Sequence, residues 1–405
     1  MTDALNPEKT VIPSSKAGAA AAGLLLVGLA GLCCADVMQH HQDTSGVYSL
    51  HSYLVNFCFF TSVSLGALLF VTLQHIARAG WSVTVRRAAE LLADNLAVMF
   101  PLLLPLAVTV LAGNFTLYPW TLPEWADADH ALQQKQAYLN PVFFVARSVG
   151  YFAVWCLMAR YFLRLSVRQD RTGDPTLTLS MERLSPPALI LLVVTLTLAS
   201  CDWLMSLWPH WWSTIFGVYF LAGAAVGALA QLILLVVLLE RAGPLAGEVT
   251  IEHYHDLGKL LLASVAFWGY IAFSQYLLIW YANIPEETAW YHPRHSGPWG
   301  WVSVGLLVGH LVLPLFALLS RWPKRNRLSL AFWAVWLLVM HWIDIYWLVM
   351  PAYDPQRPPF GLGDVFCLLG MGAVYMAGLL WRCRNRSLVP LQDPRRHEAL
   401  DFHND

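Results

Sequence analysis

Two histidines and an aspartate interrupt apolar stretches that otherwise carry almost no ionisable groups: His310 within Val302–Leu319, and His341 with Asp344 within Leu328–Met350. Ionisable groups at membrane depth are expensive to keep, so they mark sites that do something. His341 and Asp344 are three residues apart and share a face if the stretch is helical. Imidazole titrates near neutral pH, so a His/Asp/His group of this kind can hand on protons. The same residues also read as hydrogen-bonded glue between helices, and the two histidines as a pair of axial ligands to haem b.

Three further sets have chemistry in them. His253, His255, Asp256 and Lys259 stand at the start of another apolar stretch, where they are either interfacial anchors and helix-dipole partners or an antenna gathering protons. Asp202 ends a long apolar run and His210 follows just past Pro209. Glu90 and Asp94 with Arg147 form the last set. Depth along the chain places Arg147 away from Glu90 and Asp94 and nearer Asp36, Asp202 or Asp364, as a structural ion pair or as part of a gate. The sequence has no H-E-x-x-H, G-x-S-x-G or glycine-rich phosphate loop, so metal-assisted or covalent hydrolysis has no support.

The elements that must position these residues follow from composition. Of 405 residues only 13% are charged and 57% are hydrophobic. Such a chain cannot cover a soluble surface of this size, and lipid must be its solvent. A span needs about 20 apolar residues, and ten segments qualify: 17–35, 51–74, 91–112, 142–164, 186–207, 213–239, 257–281, 299–319, 328–350 and 362–381. Pro101 and Pro105 are expected to kink the third. The first reads as an uncleaved span rather than a signal peptide. Of the 25 Lys and Arg, Lys135, Arg294 and Arg357 fall on one side, Arg147 lies within a span, and the remaining 21, from Lys9 to Arg396, fall on the other. The positive-inside rule then puts both termini in the cytoplasm.

Eleven of the 19 tryptophans, Trp125 among them, sit at or beyond the outer ends of spans. With the outer loops Gly113–Asn140 and Ala282–Pro298 rich in Trp, Tyr and Pro, they suggest a packed face that receives a partner. The net charge of −1 gives no field for nucleic acid, and seven scattered cysteines without a C-x-x-C give no zinc, iron–sulfur or c-haem site.

From Asp202 to Thr288 the chain carries DWLMSLWPHWWSTIFGVYFLAG (Asp202–Gly223), HDLGKLL from His255, and YIAFSQYLLIWYANIPEET (Tyr270–Thr288). These runs closely resemble the NrfD-type (polysulfide reductase membrane subunit-like) proteins of bacterial alternative complex III, most nearly the second of its two quinol:cytochrome c oxidoreductase quinone-binding subunits. The resemblance implies an all-α protein of ten transmembrane helices. Two four-helix bundles, 51–207 and 213–350, would be flanked by two peripheral helices, with cytoplasmic tails at 1–16 and 383–405. It implies residence in the bacterial cytoplasmic (inner) membrane, with a multihaem cytochrome c, an iron–sulfur subunit and a second NrfD-type subunit as partners. Haem c and iron–sulfur clusters would then belong to those partners, and quinone or menaquinone would be the small-molecule ligand. The family's motif residues fall on Asp202, His210, Tyr219, His255, Asp256, Lys259, Gln275, Tyr276 and Glu286. One position departs from the pattern: Trp208 stands before Pro-His where the family carries Asp, which leaves Asp202 or His210 for any outer proton exit. The expected role is a proton path, or quinone binding, in a subunit without a redox centre of its own. The rival classes are a secondary transporter, for which Pro314 is only a loose counterpart to Pro101 and Pro105, and a purely structural anchor of a redox complex.

Overall fold

Backbone buried in hydrocarbon must satisfy its own hydrogen bonds, and apolar stretches of this length do so as helices. The computed structural model describes residues 10–43, 45–113, 117–121 and 130–403; Lys9 and Trp125, counted above, lie outside them. Among the described residues, nine helices are long and apolar enough to cross a membrane, and a bent pair, Gly80–Met99 with Pro101–Leu111, makes a tenth. In chain order the first to tenth spans are Ser14–Gln42, Val47–Ile76, the bent pair, Pro141–Thr172, Thr176–Trp203, Phe216–Arg241, Ile251–Ala282, Gly297–Leu319, Arg327–Val349 and Leu362–Cys383. The chain is thus an all-α protein built to pass many times through a membrane.

Several ends lie beyond the sequence reading, the starts of the third and fifth spans among them for a physical reason. The third span starts well before residue 91, because the segment Val83–Asp94 is helical and buried along its length. Its charges escaped the apolar count, but they are paired. The fifth begins at Thr176 rather than 186, so Pro186 and Pro187 lie inside the helix. Apolarity marks only the part of a helix that faces lipid, whereas hydrogen bonding carries the helix on into polar sequence. The bend of the third span is 41° and falls at Phe100–Pro101, where a proline ring removes an amide donor and crowds the preceding turn.

Packing sorts the helices into two bundles. The second to fifth spans contact one another in a ring, as do the sixth to ninth, and the second and sixth join the two rings. The second span is the hub, with 94% of its apolar window buried against 17% for the first. Gly66 lets the hub approach its partner, since a Cβ there would stand 2.0 Å from the Ala224 carbonyl oxygen. The first and tenth spans pair outside the rings. Gly28, Gly31 and Gly370 bring those backbones together, a Cβ on Gly28 falling 2.7 Å from the Gly370 oxygen, the small-residue contact expected between helices in lipid.

Both ends of the described chain meet at one end of the bundle, where Val11 and Ile12 bridge to Ser387 and Arg384. The carboxy-terminal segment folds back across that end as a strap. Asp393 takes Arg86, Arg395 takes Glu182 at 3.2 Å, and Arg396 takes Glu248 at 2.8 Å. Leu388, Val389 and Ala399 of the strap are fully buried.

Candidate functional site

The most buried polar group of the second ring is assembled from five helices. Gly223 and Gly227, one turn apart on the sixth span, leave a notch for a side chain from the ninth. The His341 ring fills it, lying so close that a Cβ on Gly227 would stand 2.6 Å from His341 Cδ2. His341 Nε2 meets the Ser62 hydroxyl at 2.8 Å, which ties the second ring to the hub helix of the first. One turn further, Asp344 accepts from the Tyr219 hydroxyl through Oδ1 and from Trp268 Nε1 at 3.1 Å through Oδ2. Trp268 in turn stacks on His310, ring centroids 3.9 Å apart and 24° from parallel. His310, His341 and Asp344 are 0–1% exposed.

His310 sits in a local widening of the eighth span. Residues Leu307–Val312 form a π turn, and the residue four beyond His310 is Pro314. A proline there removes the amide that would bond the His310 carbonyl, and its ring presses on that same carbonyl. The helix relieves both by widening, a form often found at functional sites. Trp336 Nε1 donates to the Gly309 carbonyl at 2.7 Å. Both His310 ring nitrogens and His341 Nδ1 lack a hydrogen-bond partner among the described residues. Buried polar atoms are rarely left so without a water, ion or function to explain them.

The haem reading does not fit this arrangement. Trp268 covers a face of His310, while His341 is wedged against glycine backbone with Nε2 already bonded to Ser62. Among the described residues, no group of three or more His, Cys, Asp or Glu is arranged to hold a metal ion.

The other sequence candidates lie apart from this cluster. Asp256 pairs with Lys259 rather than leaving Lys259 to His255, whose Nδ1 is buried without a hydrogen-bond partner among the described residues. His253 serves the helix end, accepting the Thr250 amide at 3.0 Å. This group stands at the start of the seventh span, thirteen residues from Trp268, or about 20 Å along the helix. Of the three acids considered for Arg147, Asp202 is the partner, in a two-pronged pair at 2.9 and 2.8 Å with the Tyr151 hydroxyl donating to the same carboxylate at 2.8 Å. Asp36 is exposed, and Asp364 caps the tenth span by accepting the Gly361 amide and the Tyr48 hydroxyl. His210 is exposed. Glu90 joins Arg86 and Arg87, and Asp94 joins Arg160 and Arg382. Glu90, Asp94 and Arg147 therefore belong to three separate networks.

Two features escaped the sequence reading. Trp268 and Ser62 look like any aromatic or small residue in a span, and nothing in their neighbourhood singles them out. The notch had a signal in Gly223-x-x-x-Gly227, a spacing that brings helices close. The second feature is Arg294, fully buried in the loop between the seventh and eighth spans. Its guanidinium lies 3.5 Å over the Trp290 ring and donates to the Trp290 and Leu348 carbonyls at 2.7 and 3.1 Å. Trp208, the departure from the resembled pattern, faces the same guanidinium at 5.6 Å. Burial pulls Arg294 down to about 9 from its ordinary 12.5.

A recess of about 280 Å³ lies beside this loop, lined by Trp212, Ser213, Ile215, Gln275 and Leu278. Gln275 is held there between the Ser213 hydroxyl, which donates at 3.1 Å, and the Tyr291 hydroxyl at 3.3 Å. Neither a family model nor a curated protein matches the chain.

Proposed function

We propose that the chain is a membrane subunit of a bacterial quinol:cytochrome c oxidoreductase complex of the inner membrane, and that it contributes part of a transmembrane proton path. The observation that carries this reading is the Tyr219–Asp344–Trp268 bridge with His341 and His310 beside it. A carboxyl group with two donors, next to His310 and His341 ring nitrogens of which three lack a hydrogen-bond partner among the described residues, is a set of groups able to hold and pass a proton in the middle of a bilayer. His255, Asp256 and Lys259 provide the mouth on the side of the chain ends. Asp202, bound to Arg147, is the acid on the opposite side. Electron transfer belongs to the partner subunits with haem c and iron–sulfur clusters, which would sit on the Trp-rich face. This assignment of the assembly rests on the motif resemblance between Asp202 and Thr288.

The test is purification of the native complex through a tag on this chain. Co-purifying haem c absorbance and iron–sulfur subunits support the assembly, and a preparation without them sinks it. In vesicles, Asp344→Asn should lower protons moved per electron, whereas substrate uptake by the chain alone would favour a transporter. A second reading, quinone binding, is favoured by the recess at Gln275, where one amide and apolar walls from Ile215 and Leu278 suit a quinone ring. Protection of Gln275-region tryptophans by added quinol analogue checks it.

A further inference from the structure

At the end of the fourth span, on the side where the chain ends meet, a groove of about 310 Å³ is lined by Arg160, Arg164, Arg168, Arg171 and Arg386. The first four recur at helical spacing on one stripe of a single helix, and Leu163 and Val167 complete the wall. Like charges at this spacing repel one another, so the stripe is costly unless an anion meets it.

The acids nearby reach only Arg160 with an ion pair among the described residues, and Asp174 acts on Arg168 only through its charge. Asp94 takes Arg160 and Arg382 at 2.9 and 2.8 Å, and Asp170 takes Arg87 at 2.8 Å. Arg164, Arg168 and Arg171 are exposed and make no ion pair among the described residues. On the same end of the molecule Arg86, Arg87, Arg325, Arg327, Arg395 and Arg396 all have carboxylate partners. The groove therefore gathers five guanidiniums on one face, of which only Arg160 has an ion pair among the described residues. Arg386 adds a buried Nη1 without a hydrogen-bond partner among the described residues.

Position identifies the anion. The stripe continues toward the apolar part of the helix as Leu157, which is 72% exposed, so the same face passes directly from guanidinium to hydrocarbon-facing surface. A soluble phosphate uses only the first half of such a face, whereas a phospholipid uses both. We infer that this groove binds the headgroup of an anionic phospholipid, its phosphates held by the arginine fork geometry and its acyl chains lying over Leu157. Several guanidiniums in a row match the two phosphates of cardiolipin better than a single one. The site is separate from the buried cluster of the second ring and does not depend on the activity proposed for it.

The experiment uses the full chain, purified in detergent and moved into phosphatidylcholine vesicles with or without cardiolipin. Retained lipid is read by native mass spectrometry and stability by thermal melting. Wild type should keep cardiolipin through detergent washing and melt several degrees higher with it, a direction set by ligand linkage. The triple variant Arg164→Gln, Arg168→Gln, Arg171→Gln should bind it more weakly by on the order of a hundredfold and lose the thermal shift. Equal melting of the two proteins in pure phosphatidylcholine shows that the variant folds; if the triple does not, Arg168→Gln alone is compared. Equal cardiolipin retention by wild type and variant overturns the proposal. A matching thermal shift from inorganic phosphate in detergent overturns the lipid assignment in favour of a free anion.

Discussion

The His341 ring rests against Gly227, in a notch where a Cβ would stand 2.6 Å from His341 Cδ2. The glycine is what permits a ninth-span imidazole to reach Ser62 on the second span, at 2.8 Å. Gly227→Ala must push the ring or the helix away, and small-to-large changes in packed cores cost about 1–3 kcal/mol. The expected result is a folded protein with a lowered melting temperature and a larger fractional loss of proton-coupled turnover. Unchanged melting and unchanged turnover would mean that His341 tolerates a different seat.

Asp344 separates the relay from structural glue. Asn at this position has nearly the same shape but leaves one acceptor for two donors, Tyr219 and Trp268, and no group that ionises. Leaving one buried donor unmatched costs about 1–3 kcal/mol. Tyr219→Phe removes the donor and keeps the carboxyl. A relay role predicts that Asp344→Asn abolishes proton movement while Tyr219→Phe only slows it, at comparable losses of stability. If the two variants lose stability and proton movement in the same proportion, the carboxyl is holding helices together.

Much of the fold was legible because lipid imposes a length on apolar sequence, and the basic residues near its ends gave a consistent alternation. What apolarity could not show was where helices continue into polar sequence, as at Thr176–Ser185, or where buried charges pair, as along Val83–Asp94. The site was half legible for a similar reason. His310, His341 and Asp344 stand out since they are ionisable in apolar surroundings. Trp268 and Ser62 acquire meaning only when distant helices meet, and the notch that admits His341 is made by residues with no side chain at all. Arg147 could be ranked by depth against three acids, but choosing Asp202 required knowing which face of the fifth span turns toward the fourth.

That choice leads to a test of stability on the opposite side from the chain ends. Arg147 holds Asp202 with two parallel bonds, the arginine side chain 9% exposed and the aspartate fully buried. Lysine keeps the charge but offers no fork, and its ammonium is more strongly hydrated. Arg147→Ala leaves a buried carboxylate with tyrosine hydroxyls but no positive charge, a loss of about 3–5 kcal/mol. Arg147→Lys should fall between wild type and Ala in melting temperature. The double variant Arg147→Ala, Asp202→Ala should recover part of the loss, because the uncompensated charge is gone; no recovery would mean that the residues do not act as a pair.

The turn between the first and second spans is expected to depend on pH. Asp43 accepts from the Ser45 amide at 2.9 Å, the Ser45 hydroxyl at 2.5 Å, the Tyr48 amide at 3.1 Å and the Tyr353 hydroxyl at 3.4 Å. Partial burial pushes its carboxyl up, but these hydrogen bonds outweigh it and leave the group below its ordinary value of 3.8. A carboxyl lowered by folding contributes stability that is present above 3.8 and disappears as pH falls through the lower folded value. Protection of the Ser45 and Tyr48 amides, measured against the intrinsic exchange rate at each pH, should therefore hold at neutral pH and fall only under strongly acid conditions. Asp43→Asn should lower this protection at neutral pH and flatten its dependence on acid. An Asn variant with the same acid-induced loss of protection as wild type would place the titrating group elsewhere.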